Sequence, residues 1–541
     1  ERAPIESLSE EELFRTAIAE RAERARTEKI SLESSDASTP WTDYTVTNAT
    51  SGKTYRVALR GVERGVSYCS CPDFRKNTLG TCKHILGVLA KAKRRFGASE
   101  LAKPYRQQKF SVHLRYGDAI ELRMAVPAIR SPEIEEVVRP LRGRPIEDVH
   151  DLMARLARLE AAGREVVIYP DAEEHIQKRL FQHRMKTLVE KIRANPADHP
   201  LRKSLLKTEL LPYQLDGIAF AVGAGRAVLA DDMGLGKTIQ GVGVAEVLAR
   251  EAGIRKVLVV CPASLKAQWR AEITRFSDRA CQLVTGGSKE RAAQYSGEPF
   301  FTVCNYEQVL RDIVPIENVK WDLIILDEGQ RIKNWEAKTS RIVKALRSPF
   351  ALVLSGTPLE NRLDDLFSVV EFIDEQRLGP AFRFFNKHRI TDEKGRVLGY
   401  RKLGELRENL KPILLRRKRA AVMRDLPPRT TEVVRIAPTD EQLELHDAWL
   451  KVVSSIVRKK FISEMDLLRL QKALLMCRMT ADSTFLADKS QHPPGYSTKL
   501  EKLEEILDQL RQEENRKIVL FSEWTTMLDL IQEILKRLRM T

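Results

Sequence analysis

"AVLADDMGLGKTIQ", residues Ala227 to Gln240, decides the fold of this chain. An apolar run passes into a glycine-bearing loop and then into Lys237-Thr238, which open a helix of apolar periodicity. A phosphate-binding loop needs that succession. Backbone N–H groups at the helix start cradle the phosphates, Lys237 reaches the terminal ones, and the Thr238 hydroxyl holds magnesium. Asp231 stands where the general pattern has its first glycine, so the match is inexact.

Downstream, "KWDLIILDEGQRIKN" places Asp327 and Glu328 at the end of a strand-like run. Adjacent carboxylates there can divide the labour: Asp327 serves magnesium, and Glu328 orients and deprotonates an attacking water. A lone Asp-Glu pair is commonly an acidic turn. One that ends a strand downstream of a phosphate loop is not.

Upstream, "YCSCPDFRKNTLGTCKH" (Tyr68 to His84) holds three of the seven cysteines. Cys69 and Cys71 are spaced C-x-C, Cys82 and His84 are spaced C-x-H, and residues i and i+2 of an extended chain project to one face. Three thiolates and an imidazole suit tetrahedral zinc, and four protein ligands leave no position for a catalytic water. The site is therefore expected to be structural, within a module too small to fold on its core alone. Strands with a Ser-Gly turn are predicted over Tyr44 to Tyr68, and a helix over "CKHILGVLAKAKRRF". At this spacing the segment resembles the SWIM zinc finger, from roughly Trp41 to Phe96, which implies nucleic-acid or protein contacts rather than catalysis. The basic tail Lys91, Lys93, Arg94 and Arg95 is either a phosphate contact or a solvated helix end.

The remaining sequence sets bounds. At 541 residues the chain predicts three or four cores, and no stretch approaches the roughly 18 apolar residues of a membrane span. A net charge of +16 favours an anionic partner. Cys261, Cys281, Cys304 and Cys477 are isolated and read as small buried hydrophobes in a reducing compartment. The start, "ERAPIESLSEEELF", has no methionine and no signal pattern, which reads as a fragment of a non-secreted protein. A helical segment is expected within 1–40, the zinc module at 41–96, and an α+β connector at 97–203 that closes on the linker "ANPADHPLRK".

From Leu205 to Thr541 the ordered series "LLPYQLDGIAF", "LADDMGLGKTIQ", "VLVVCPASLKAQW", "FTVCNYE", "LDEGQRIKN", "LVLSGTPLENRLDDLFS", "LLRRKRAAVMRDLPPR" and "KIVLFSEWTTMLDLI" resembles the SWI/SNF-type (sucrose-nonfermenting) ATPases of helicase superfamily two. A glycine-poor loop start is usual there, so Asp231 fits. The resemblance implies an α/β fold: a RecA-like P-loop motor lobe at 204–376, a helical insertion and inter-lobe linker at 377–428, and the first part of a second RecA-like lobe at 429–541. It assigns Gln214 to adenine and Asp232, Gly234, Leu235, Gly236, Lys237 and Thr238 to the phosphates. Lys237, Asp327, Glu328 and Gln330 become the catalytic set, with magnesium on Thr238 and Asp327. Gln330 stands where histidine is usual and would couple the nucleotide to the rest of the lobe. Ser355, Gly356 and Thr357 would link the ATP site to a DNA track. Ser264, Lys266, Gln268, Asn305, Tyr306 and Thr357 would line that track, with Arg416 and Arg417 bracing the lobes or touching DNA. Trp269 reads as core.

The function so implied is an ATP-driven translocase on double-stranded DNA that remodels bound proteins, working in the nucleoid of a bacterium or the nucleus of a eukaryote. The second lobe's arginine fingers are expected beyond "FSEWTTMLDLIQEILKRLRMT", so this chain is expected to bind ATP, magnesium and zinc but to hydrolyse weakly. Two readings compete: a zinc-dependent adaptor with a weak motor, and a motor associated with RNA or RNA polymerase. Intact Lys237, Asp327 and Glu328 speak against a degenerate motor.

Overall fold

Parallel strands buried on both faces read as unbroken apolar runs, and "VLVVC", "LIIL" and "FALVL" are such runs. In the computed structural model they lie at the centre of a seven-stranded sheet. Its order from edge to edge is Cys281–Leu283, Phe301–Asn305, Val257–Cys261, Leu323–Leu326, Phe350–Leu354, Arg226–Leu229 and Leu414–Leu415. Every pairing in it is parallel. The structure describes residues 8–49, 52–116, 120–129, 131–332, 338–356, 363–392, 396–422, 431–459, 461–490, 492–493, 497–512 and 517–540. The chain divides into two compact units, Glu1–Asp425 and Leu426–Thr541.

Alternation along each strand sends residues to opposite faces. Ala227, Leu229, Val257, Val259, Ile325 and Leu354 pack under the helices Pro212–Ala224, Lys237–Ala252 and Lys266–Phe276. Val228, Leu258, Val260, Ile324, Leu326 and Val353 pack under Tyr306–Arg311, Leu363–Ile373 and Ala381–His388. Cys261 and Cys304 are buried in these layers as small hydrophobes, whereas Cys281 on the edge strand is only half-buried.

Residues 411–417 were expected within an inter-lobe linker, yet Leu414–Leu415 pairs with Arg226–Leu229 as the last strand of the sheet. The pairing runs on past the strand. Ala230 N donates to Leu415 O at 2.8 Å and Asp232 N to Arg417 O at 3.0 Å, so the segment follows the chain into the phosphate loop.

The zinc segment lies in a four-stranded antiparallel sheet, Ile30–Ser34, Asp43–Asn48, Thr54–Ala58 and Tyr68–Cys69, closed by the helix Lys83–Arg95. Its core does not stop at Phe96. One apolar cluster runs from Trp41 through Phe74, Val112, Leu122 and Leu152 to Ile176, so zinc module and connector share a core. The Phe74 and Tyr116 rings meet at 5.5 Å between centroids, and Trp41 Nε1 donates to Lys103 O at 2.6 Å. A module with little apolar area of its own gains burial by this union. The helix Pro170–Ala194 leaves this core and lays Phe181, Leu188 and Val189 on the core of the large sheet. It ends at Ala194, where the expected linker begins.

In the second unit the helices Asp440–Val457, Glu464–Asp482, Thr498–Arg511 and Thr525–Arg537 dominate. The stretch "KIVLF" was expected as a strand of a second lobe. Ile518 and Leu520 do turn toward the apolar cluster of Leu500, Leu507 and Ile531, while Val519 and Phe521 are exposed. No strand forms here among the described residues, because a parallel strand needs a neighbour to complete its ladder. Among the described residues no helix is long and apolar enough to cross a membrane.

Candidate nucleotide site and metal centre

Open parallel sheets bind ligands at the carboxyl ends of their strands. Asp231, Ser264, Asn305, Asp327, Ser355 and Arg416 all lie at or just beyond such ends. In the phosphate loop Gly234 and Gly236 have φ of +84° and +72°, conformations that only glycine adopts without strain. Gly236 caps the helix Lys237–Ala252, whose first turn exposes the N–H groups that favour anions. Lys237 Nζ donates to the carbonyls of Asp231 and Asp232 at 2.9 and 3.2 Å, which holds it over the loop. Burial lowers its pKa against the opposing pull of Glu328, Asp231 and Asp327. Leu235 is buried, so only its backbone could face a phosphate. Gln214 is also buried. Its Oε1 accepts from Leu211 N at 3.0 Å, and a Cβ on Gly236 would come within 2.6 Å of its Nε2, so the amide abuts the loop.

Asp327 is held from three sides. Trp269 Nε1 donates to Oδ2 at 2.7 Å, Glu328 N donates to Oδ1 at 2.9 Å, and the Tyr306 hydroxyl donates to the backbone O at 2.7 Å. Burial raises the Asp327 pKa, while the two donors to its carboxylate pull the other way. Glu328 takes φ of +51°, costly for a residue with a Cβ, and such strain clusters at functional sites. Gln330 Nε2 donates to Glu328 Oε2 at 2.5 Å, and Ser355 Oγ donates to Gln330 Oε1 at 3.2 Å. A Cβ on Gly356 would lie 3.3 Å from Lys237 Nζ. Loop, acidic pair and the Ser355-Gly356 turn therefore converge. Thr357 lies outside the described residues. Thr238, half-buried, lies on the first turn of the helix that the loop opens.

The track residues divide. Ser264 and Gln268 are exposed on the sheet's carboxyl edge. Lys266 is turned inward, its Nζ donating to Val284 O and, at 3.1 Å, to Gln308 Oε1. Asn305 caps the helix Tyr306–Arg311 through Oδ1, which accepts from Gln308 N at 2.8 Å. Tyr306 was expected to face nucleic acid and is instead 3% exposed, because its hydroxyl is spent on the Asp327 carbonyl. Of the two roles expected for Arg417, bracing or touching DNA, its guanidinium is occupied in the manner of a brace, bonded to Asp231, Gln240 and the Tyr213 carbonyl; Arg416 beside it is half-buried. Sequence reasoning missed two roles, that of Trp269 as a donor to Asp327 and that of Asp231 as the partner of Arg417. Nothing in a linear pattern joins residues so far apart.

In the zinc module the ligand atoms of Cys69, Cys71, Cys82 and His84 all lie within 4.8 Å of one another, and all four residues are buried. Zn–S and Zn–N bonds of about 2.3 and 2.0 Å place tetrahedral neighbours about 3.5 to 3.8 Å apart. Cys69 Sγ and His84 Nδ1 are 3.7 Å apart, so the set fits the metal. Burial pushes the Cys69 and Cys82 thiols up, whereas Cys71, which accepts from both, is pushed down. A cation would relieve that crowding by taking three thiolates at once. Of the basic tail, Lys91 Nζ is bound to Leu32 O at 2.9 Å, while Lys93 and Arg94 are exposed.

A phosphate loop, a strand-end acidic pair and a relay from Glu328 to Ser355 at one sheet edge define a P-loop nucleotide-binding protein. The chain belongs to the SNF2-related domain family, whose model matches residues 213–492; a SWIM zinc finger model matches residues 55–93. It is 30% identical over 372 residues to Chromodomain-helicase-DNA-binding protein 1-like of Danio rerio, covering 64% of this chain and 35% of that protein. Identity to DNA repair and recombination protein RAD54B of Homo sapiens is 28% over 391 residues, 61% of this chain and 42% of the relative. The chain thus spans less than half the length of these relatives. Among solved structures, the Sulfolobus solfataricus SWI2/SNF2 ATPase core in complex with dsDNA aligns at 27% identity and a TM-score of 0.39, over 62% of this chain and 71% of that one.

Proposed function

We propose that this chain is the ATP-binding part of a motor that moves along double-stranded DNA and displaces or remodels bound proteins. The observation that carries the reading is the relay Glu328, Gln330, Ser355, which ties the residue placed to activate water to the turn beside Lys237. Lys237 and the loop N–H groups bind the phosphates, Gln214 meets the adenine, and Thr238 and Asp327 hold magnesium, which supplies charge neutralisation at the phosphates. Exposed Ser264 and Gln268 on the same edge offer hydrogen bonds to a phosphate backbone, and the charge of +16 draws the duplex in. Zinc on Cys69, Cys71, Cys82 and His84 holds the SWIM module together. Such a motor works where DNA is, in nucleoid or nucleus.

ATP turnover of this chain and of a C-terminally extended one, measured with duplex DNA, single strands and RNA, tests this, with Glu328→Gln in the extended chain as control. Stimulation by duplex DNA, abolished in Glu328→Gln, is the expected result. Stimulation by RNA alone would transfer the motor to the RNA-associated class.

A further inference from the structure

The ten residues Pro72 to Thr81 between the two ligand pairs form a loop tied at each end to a metal ligand, Cys71 and Cys82. Inside, Phe74 is buried, and Asn77 receives Leu79 N and donates to Thr81 O, each at 2.8 Å. Outside, the loop faces the large-sheet domain. The Gln376 amide donates to Arg75 O at 2.9 Å, and Arg383 Nη1 donates to Thr78 Oγ1 at 3.1 Å. Lys76 Nζ lies 3.3 Å from Glu371 Oε1 and 3.6 Å from Glu375 Oε2, with all three side chains mostly buried. Burial pushes Glu371 up, yet Lys76 and Lys344 hold it below its ordinary range, as expected of a formed contact.

Glu371 lies in the last turn of the helix Leu363–Ile373, which follows Ser355 and Gly356 closely in sequence. We infer that the zinc module's partner is this chain's own P-loop domain: the loop between the ligand pairs is its docking element, and metal binding orders the far end of helix Leu363–Ile373. The inference rests on the zinc reading. It needs no nucleic acid on the module.

The test uses the full chain, with zinc content measured first and hydrogen exchange followed in peptides from 363–388. Chelation should speed exchange there, while the helix Lys237–Ala252 keeps its protection. Lys76→Glu keeps all four ligands. It should retain zinc yet speed exchange at 363–376 by roughly fivefold. Lys93→Glu, at an exposed position on the helix Lys83–Arg95 of the same module, should change nothing. A chain that binds no zinc overturns the metal reading and this inference together. Bound zinc with exchange indifferent to chelation or to Lys76→Glu, or an equal effect from Lys93→Glu, overturns this inference alone.

Discussion

The Arg417 guanidinium grips the Asp231 carboxylate with Nη2 2.6 Å from Oδ2 and Nε 3.1 Å from Oδ1. Asp231 is fully buried, and the Arg417 backbone N at 3.1 Å and Gln240 Nε2 at 3.2 Å add two further donors. Space for the pair is made by Gly217, where a Cβ would sit 2.1 Å from Gln240 Oε1 and 2.5 Å from Arg417 Nη2. The acid at the head of the phosphate loop is thereby fixed to the last strand of the sheet, and the two cannot move independently.

Removing one member of a buried pair strands the other's charge. Arg417→Ala should cost about 3 to 5 kcal/mol in urea unfolding, and Arg417→Lys should recover only part, since an ammonium cannot reproduce the fork. A loss below about 1 kcal/mol would show a solvated pair.

Gln330 joins Glu328 to Ser355 and touches no loop residue in the relay. Gln330→Ala should leave nucleotide affinity within about twofold while lowering stimulated turnover at least about tenfold. Equal losses in both, from nucleotide titration beside steady-state rates, would make Gln330 a binding residue.

Asp327 must be ionised to hold magnesium, and its burial raises its pKa. A carboxyl raised on folding binds its proton more tightly in the folded state, so the ionised form costs stability at higher pH and protonation recovers it as pH falls. Magnesium-nucleotide affinity follows the opposite course and weakens from the acid side. Trp269→Phe deletes a donor that favours the ionised form, so the acid limb should shift to higher pH. An unmoved limb would assign it to another group.

Tyr306 and Gln268 should separate stability from DNA grip. Tyr306→Phe loses the bond to the Asp327 carbonyl and should cost about 1 to 2 kcal/mol of stability without altering DNA affinity. Gln268→Glu puts a negative charge on the exposed edge and should weaken duplex binding about threefold or more at low salt, an effect that fades as salt rises.

Burial, aided by Arg179 and Lys178, lowers His175 to about 4 from its ordinary 6.5. A histidine depressed on folding is protonated first in the unfolded chain, so its contribution is intact above pH 6.5 and is lost as pH falls toward 4. His175→Gln should flatten the stability profile across that window. A profile unchanged by the substitution would place the acid sensitivity elsewhere.

The sequence alone determined what is local or strictly periodic. Apolar runs mark strands whatever surrounds them, Gly234 and Gly236 announce a backbone turn, and two short spacings bring Cys69, Cys71, Cys82 and His84 within reach of one ion. Hence the α/β domain, the phosphate loop, the acidic pair and the metal centre were all legible. Tertiary structure alone decided which side chains are spent internally. Tyr306, Lys266 and Arg417 carry the chemistry of nucleic-acid contacts, but nearer acceptors claim their donors. It also merged zinc module with connector, turned a linker into a sheet strand, and set Lys76 against Glu371. Each depends on packing residues distant in sequence, and no spacing encodes a contact whose partner is chosen by the shape of the rest of the chain.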